Sequence, residues 1–458
     1  MSQVVKPSIN SLIKEGNLKG LSEELNTLSP FEIADLISNK SEEDQSLLFS
    51  ALSMPLAIEA FQYFSQRIQK RIIHTLPASK AAELLRDLPP DERTNFLQDL
   101  PKSIVDELVK LLPYEEQIVT LTLLNYPEGS VGRLMTTDYL AVKMDWTVEQ
   151  VLDHILAYGH DSETINDLYI IDNDGKLLDD FKIRELLFLP RKMRVYNISD
   201  HKFTALLANE NAEDAIAVFQ KNDRIALPVI DDQGKLLGIV TIDDILSLSN
   251  EEATEDIQKI GGVEALDEPY MQTPFLELMK KRAGWLVVLF VGEMFTASAL
   301  SYFEFELNKA VVLALFLPLI ISSGGNAGSQ ASTLIIRAMS LGEIKLRDWW
   351  RIAKREIASG FFLGTILGAV GFLRVGSWNY LFHLYGEHWA LIGLTIFFSL
   401  IGVVLWGTLS GAMLPLILRF CRLDPATSSA PFVATLVDVA GVIIYFLTAI
   451  LILRGTLL

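Results

Sequence analysis

Cysteine is almost missing from this chain. Its 458 residues include one, Cys421, which excludes an intrachain disulfide and any cysteine-built zinc site. Histidine is also sparse, with six in all and none beside the apolar run's single acid, Asp438. Basic residues are short in the first part: 28 basic and 48 acidic residues precede Ala283, a net of −20, whereas 11 basic and 9 acidic residues follow, a net of +2. So acidic a region repels phosphate backbones, and nucleic acid is not an expected partner; cations are. No Walker motif, nucleophile–base constellation or metal-hydrolase signature occurs, so no enzyme is expected. The opening M-S-Q-V-V-K-P has no apolar core, which predicts no signal peptide and an N-terminal half that stays in the cytoplasm.

Apolar residues are abundant, half of the chain. They concentrate in five segments, about 283–303, 310–336, 357–376, 389–418 and 431–453. Each is long enough to cross a bilayer as a helix. Basic residues cluster before the first segment (Lys280, Lys281, Arg282) and in the second and fourth connections, while the first and third connections are poor in them. The positive-inside rule then predicts a multi-pass protein of the cytoplasmic membrane, N-terminus inside and C-terminus outside.

Residues 1–130 read as an all-α superhelical domain. Leu-Pro recurs every 12 residues, at Leu76-Pro77, Leu88-Pro89, Leu100-Pro101 and Leu112-Pro113. Proline starts a helix and stops the previous one, so each unit is a short helix that must stack on its neighbours. Asp87, Asp91 and Glu92 are expected on a solvated outer face. Residues 131–250 hold a second repeat: L-Y-I-I-D-N-D-G-K-L-L (168–178) matches L-P-V-I-D-D-Q-G-K-L-L (227–237). Strand, D-x-x-G turn, strand and flanking helices give an α/β tandem that resembles a cystathionine-β-synthase-type (CBS) pair. In that family a Thr and an Asp closing each half can hold a nucleotide ribose. The second half keeps them as Thr241 and Asp244; the first has Lys182 and Glu185, so at most one ATP-type site is expected. Residues 251–282 open with clustered acids and read as a linking helix into the membrane domain, 283–458.

Asp438 lies within the apolar run Pro431–Leu453. A carboxylate at membrane depth costs at least about 2.5–3.5 kcal/mol on insertion scales and normally faces a path or a partner. Thr435 shares its helix face. In the second segment, Asn326, Ser329 and Thr333 form one polar stripe, and Gly324, Gly325 and Gly328 permit close helix approach or a local break. One acid amid neutral oxygen groups suits a hard, hydrated divalent cation rather than zinc.

These motifs together are similar to the MgtE family of magnesium channels and transporters. The match runs through P-E-G-S-V-G-R-L-M-T (127–136), E-A-T-E-D-I (252–257), G-G-N-A-G-S-Q (324–330), L-D-P-A (423–426) and A-T-L-V-D-V-A-G (434–441). The resemblance implies a homodimer whose second and fifth membrane helices line a pore. Asp438 would hold hydrated Mg2+ there, with the Ala434 carbonyl nearby. It also implies that cytoplasmic Mg2+ bridges sensor acids, at positions including Asp91, Asp244, Glu252, Glu255, Asp256 and Asp424, and closes the path. Ala430 and Ser329 stand where relatives can carry Asn. Glu293 is a second intramembrane acid outside the family pattern; it is either a further ion or proton site or the partner of a base such as Arg337. The competing readings are a membrane-anchored magnesium or nucleotide sensor without transport, and a transporter of cobalt or manganese.

Overall fold

The computed structural model describes residues 6–458; the first residues of the stretch read for a leader lie outside the described residues. Two compact units form, Met1–Ser249 and Asn250–Leu458.

The first unit begins with ten helices of eight to eleven residues, from Lys6–Glu15 to Tyr114–Leu124. Each of the four periodic prolines caps a helix N-terminus, with φ between −50° and −57°. Proline's fixed φ suits that position, and its missing N–H loses nothing there. The helices stack on a shared core that includes Ile33, Phe61, Leu84 and Leu97. Two three-stranded sheets follow. The first has β1 (Ala141–Lys143), β2 (Asp167–Ile171) and β3 (Leu177–Lys182); the second has β4 (Leu206–Leu207), β5 (Ala226–Ile230) and β6 (Leu236–Thr241). In each, the first pair is parallel and the second antiparallel. The repeated D-x-x-G turns are equivalent. Asp172 Oδ1 accepts from the backbone N–H groups of Asp174 and Lys176, and Asp231 Oδ1 from those of Gln233 and Lys235. Their glycines sit at φ +83° and +82°, where a side chain would be strained. The short strands β1 and β4 carry too little pattern to be read from the sequence.

The helix that closes the second sheet runs unbroken over Ile242–Ile260 and stops at Gly262, φ +74°. The expected linking helix over 251–282 is therefore divided: residues 261–274 are irregular, and the first membrane helix starts at Phe275. The five helices apolar enough to span a bilayer include Phe275–Tyr302, Leu317–Ser340, Trp349–Phe382, Trp389–Phe420 and Ala430–Leu453. The second and fourth cross backbone to backbone. A Cβ at Gly407 would lie 2.3 Å from the Gly324 carbonyl oxygen, and one at Gly411 would lie 2.2 Å from that of Gly328. The Gly-rich stretch therefore allows close approach and does not break the helix.

Candidate cation path and acidic sites

The fifth membrane helix starts at a serine cap: Ser429 Oγ accepts from the Phe432 N–H, and Pro431 occupies the first turn. Val433 and Val437 are buried, the former toward Gly328 and the latter toward Gly324. This turns Ala434 and Asp438 toward Gly325. A Cβ at Gly325 would stand 3.4 Å from the Ala434 Cβ and 4.0 Å from Asp438 Oδ1, so the glycine leaves room beside the carboxylate. Thr435 is buried and its hydroxyl donates to the Pro431 carbonyl at 3.1 Å.

The polar stripe of the second helix divides in two. Ser329 Oγ donates to the Ala430 carbonyl (3.1 Å) and the neighbouring Ser332 to the Ser428 carbonyl (3.0 Å), so these hydroxyls join the second helix to the start of the fifth. Thr333 bonds back to its own helix at the Ser329 carbonyl. Asn326, Gln330 and Thr333 remain exposed along the seam. Glu293 does not pair with Arg337. Its carboxyl group lies within hydrogen-bonding reach of Asp438, while Arg337 acts electrostatically on Asp256.

Below the membrane helices, Lys259 donates to Asp424 Oδ2 at 2.6 Å and forms an ion pair with Glu255 one turn earlier. Burial alone would lower the Lys259 pKa, but the two carboxylates outweigh it and the pKa is raised. Burial raises the Asp256 pKa, and the nearby Asp424 adds to it. Glu252 is one turn earlier on the same helix.

The first unit holds a second acidic group. Asp91 is buried, not solvated, and its Oδ1 has no hydrogen-bond partner; only Asp87 of that row is exposed. The helix Pro90–Gln98 turns Asp91 inward with Arg93, which is itself wholly buried on Glu116 and the Leu85 and Arg86 carbonyls. Burial pushes the Asp91 pKa well up, and Asp244, Glu92 and Glu163 push it further. Asp244 is raised to about 6 by burial, against a 2.6 Å hydrogen bond from Thr241. Glu163 is raised by burial and then by Asp244 and Asp243. Sequence reading missed Glu163 and Asp138, which meet through a backbone bond of 2.7 Å; both lie in loops without periodicity. Among the described residues no three Asp, Glu, His or Cys side chains converge in ligating geometry.

The Thr241 and Asp244 side chains expected to meet a ribose are bonded to each other. Between the halves, Arg224 of the second reaches Asp167 at 3.3 Å and Asp180 at 3.0 Å in the first, and Lys182 of the first donates to the Asp223 carbonyl of the second. Asp179 accepts from Ser199 Oγ and from the Asp200 and His201 N–H groups.

Family models match along the chain: divalent cation transporter MgtE over residues 317–448, the MgtE intracellular N domain over 28–129, and CBS domains over 131–189 and 195–251. The magnesium transporter MgtE of Thermus thermophilus is 34% identical over 99% of this chain and all of its own length. That of Bacillus subtilis is 26% identical over 95% and 94%. Among solved structures, the cytosolic domain of the Mg2+ channel MgtE in complex with ATP matches with a TM-score of 0.51 at 28% identity, covering 53% of this chain and 99% of that one. With its N domain, paired CBS modules and five apolar helices, this multi-pass membrane protein belongs to the MgtE family.

Proposed function

We propose that this chain transports magnesium across the cytoplasmic membrane as a homodimer, and that cytoplasmic Mg2+ closes the path. The observation that carries the reading is the polar seam between the second and fifth membrane helices. Asp438, Asn326, Gln330 and Thr333 stand along it, and the last three are exposed in a single chain. Polar groups at membrane depth are not left against lipid. A second copy facing this seam would cover it and enclose a hydrated cation. Asp438 would hold the ion through its water, and the Ala434 carbonyl and the Asn326 amide would accept from that water. Transport in the named relatives supports Mg2+ as the ion.

Closure rests on the soluble acids. Asp91, Glu163 and Asp244 repel one another, as Asp256 is repelled by Asp424 and Glu255 against the pull of Lys259. Divalent ions between them would favour the compact arrangement by the difference in ion affinity of the two states. The basic connections favour the N-terminus inside and the C-terminus outside. ATP would use Thr241 and Asp244, which must then part from each other.

The test is Mg2+ uptake into proteoliposomes by the intact chain and by Asp438→Asn, with and without Mg2+ on the cytoplasmic side. Uptake should fall to background in Asp438→Asn, and with cytoplasmic Mg2+ in the intact chain. Equal uptake by both proteins would overturn the path; uptake indifferent to cytoplasmic Mg2+ would overturn the closure.

A further inference from the structure

Membrane acids are commonly explained as partners of a base. That account fails for Glu293. Among the described residues no Lys or Arg pairs with it or with Asp438, and the group that meets Asp438 is the Glu293 carboxyl itself. The juxtaposition is built by packing. Gly292 lets the first helix approach the fifth so closely that a Cβ there would lie 2.6 Å from Thr435 Cγ2. The next residue, Glu293, then falls opposite Asp438, one turn beyond Thr435. Glu293 is exposed in the single chain, in a stretch otherwise flanked by the apolar Phe290, Val291, Met294 and Phe295.

A second feature points to a ligand at this place. Thr296 is 91% buried, and its hydroxyl has no hydrogen-bond partner. Positions 293 and 296 share a helix face, and the first helix packs chiefly on the fifth, so the buried Thr296 is turned toward the fifth helix one turn beyond Glu293. A buried hydroxyl without a partner is costly, and ordered water is its usual remedy. Two adjoining carboxylates with an unpartnered hydroxyl beside them are oxygen groups of the kind a hydrated divalent cation takes.

We propose that Glu293 is a second carboxylate for the transported divalent cation, so that each chain offers the ion two acids at one level of the path. The inference rests on the transport reading above. It makes the path more selective for divalent over monovalent cations than one acid could, because attraction scales with the ion's charge. A unit charge about 6 Å from a divalent ion is worth about tenfold in occupancy even at the dielectric of water.

The experiment is Mg2+ uptake against concentration in proteoliposomes, with Na+ competition, for the intact chain, Glu293→Gln, Glu293→Asp and Asp438→Asn. Glutamine keeps the size and hydrogen bonding but removes the charge. Glu293→Gln should raise half-saturating Mg2+ about tenfold and strengthen Na+ competition. Glu293→Asp, with the charge one methylene away, should shift it about two- to fivefold. Wild-type half-saturation and competition in Glu293→Gln, with Asp438→Asn inactive, would overturn the role of Glu293 and leave the path intact. Full uptake by Asp438→Asn would overturn both. Should Glu293→Gln fail to assemble, Glu293→Asp decides alone: a shift supports the proposal, and wild-type values overturn it.

Discussion

Two pairs of acids in the second unit meet opposite fates. Glu255 and Asp424 are joined by Lys259, which ion-pairs with both. Glu293 and Asp438 meet with no base between them. The first pair is partly neutralised by a cation the chain itself supplies, tethered one helical turn from Glu255. That cation also ties the end of the Ile242–Ile260 helix to the loop before the fifth membrane helix. Among the described residues the second pair has no tethered cation. The difference separates a pair that already carries a cation of the chain's own from a pair that, on the reading proposed above, takes one from solution. The buried Asp91 and Asp244 likewise have no base beside them among the described residues, and burial raises both.

The comparison can be broken most severely by giving the membrane pair its own lysine. Glu293→Lys should pair with Asp438 as Lys259 pairs with Asp424, and Mg2+ uptake should fall to background while the protein still assembles on size exclusion. Separating the pair is the next largest change. Gly292→Val forces the first helix away from Thr435 and should raise half-saturating Mg2+ by about tenfold, like loss of the Glu293 charge. Removing the tethered cation sharpens the contrast. Lys259→Met should let Mg2+ reach Glu255 and Asp424 without competition, so cytoplasmic Mg2+ closes the path at about two- to fivefold lower concentration; partly exposed ion pairs of this kind are worth about 0.2–1 kcal/mol.

The smallest effect concerns a third arrangement, in which one Arg224 serves two buried acids, Asp167 and Asp180. Burial raises Asp180 to about 6 from an ordinary 3.8; Arg224 opposes this, and Asp167, Asp179 and Asp200 add to it. A carboxyl with a raised folded-state pKa contributes stability that is fully present below its unfolded value and is lost as pH rises through about 6. Calorimetry should therefore show the soluble transition rising between pH 7 and pH 5, and Asp180→Asn should reduce that rise by about 2–4 °C.

Much of this was legible from residue order. The Leu-Pro period marked the short helices, because proline acts on its own backbone and needs no distant partner. The repeated D-x-x-G turns marked the paired α/β modules for the same reason, and five apolar runs marked the membrane helices. Asp438 stood out because a charge in an apolar run is costly wherever its helix packs. Other residues were misread or missed because their roles depend on what lies opposite. Asp91 was expected in solvent, yet its helix is rotated inward with Arg93. Ser329 donates to the Ala430 carbonyl at the start of the fifth helix, a partner that residue order does not show. Glu163 and Asp138 carried no signal at all.

Residue order was enough for the classes of element, their succession and the acid within an apolar run, since helix propensity, turn chemistry and hydrophobicity act over a few residues. Only the tertiary structure decided which charges meet. Gly292, Gly325 and the Gly324–Gly407 crossing set helix distances to within a side chain, and that spacing brings Glu293 to Asp438 across 145 positions, while Lys259 meets Asp424 across 165.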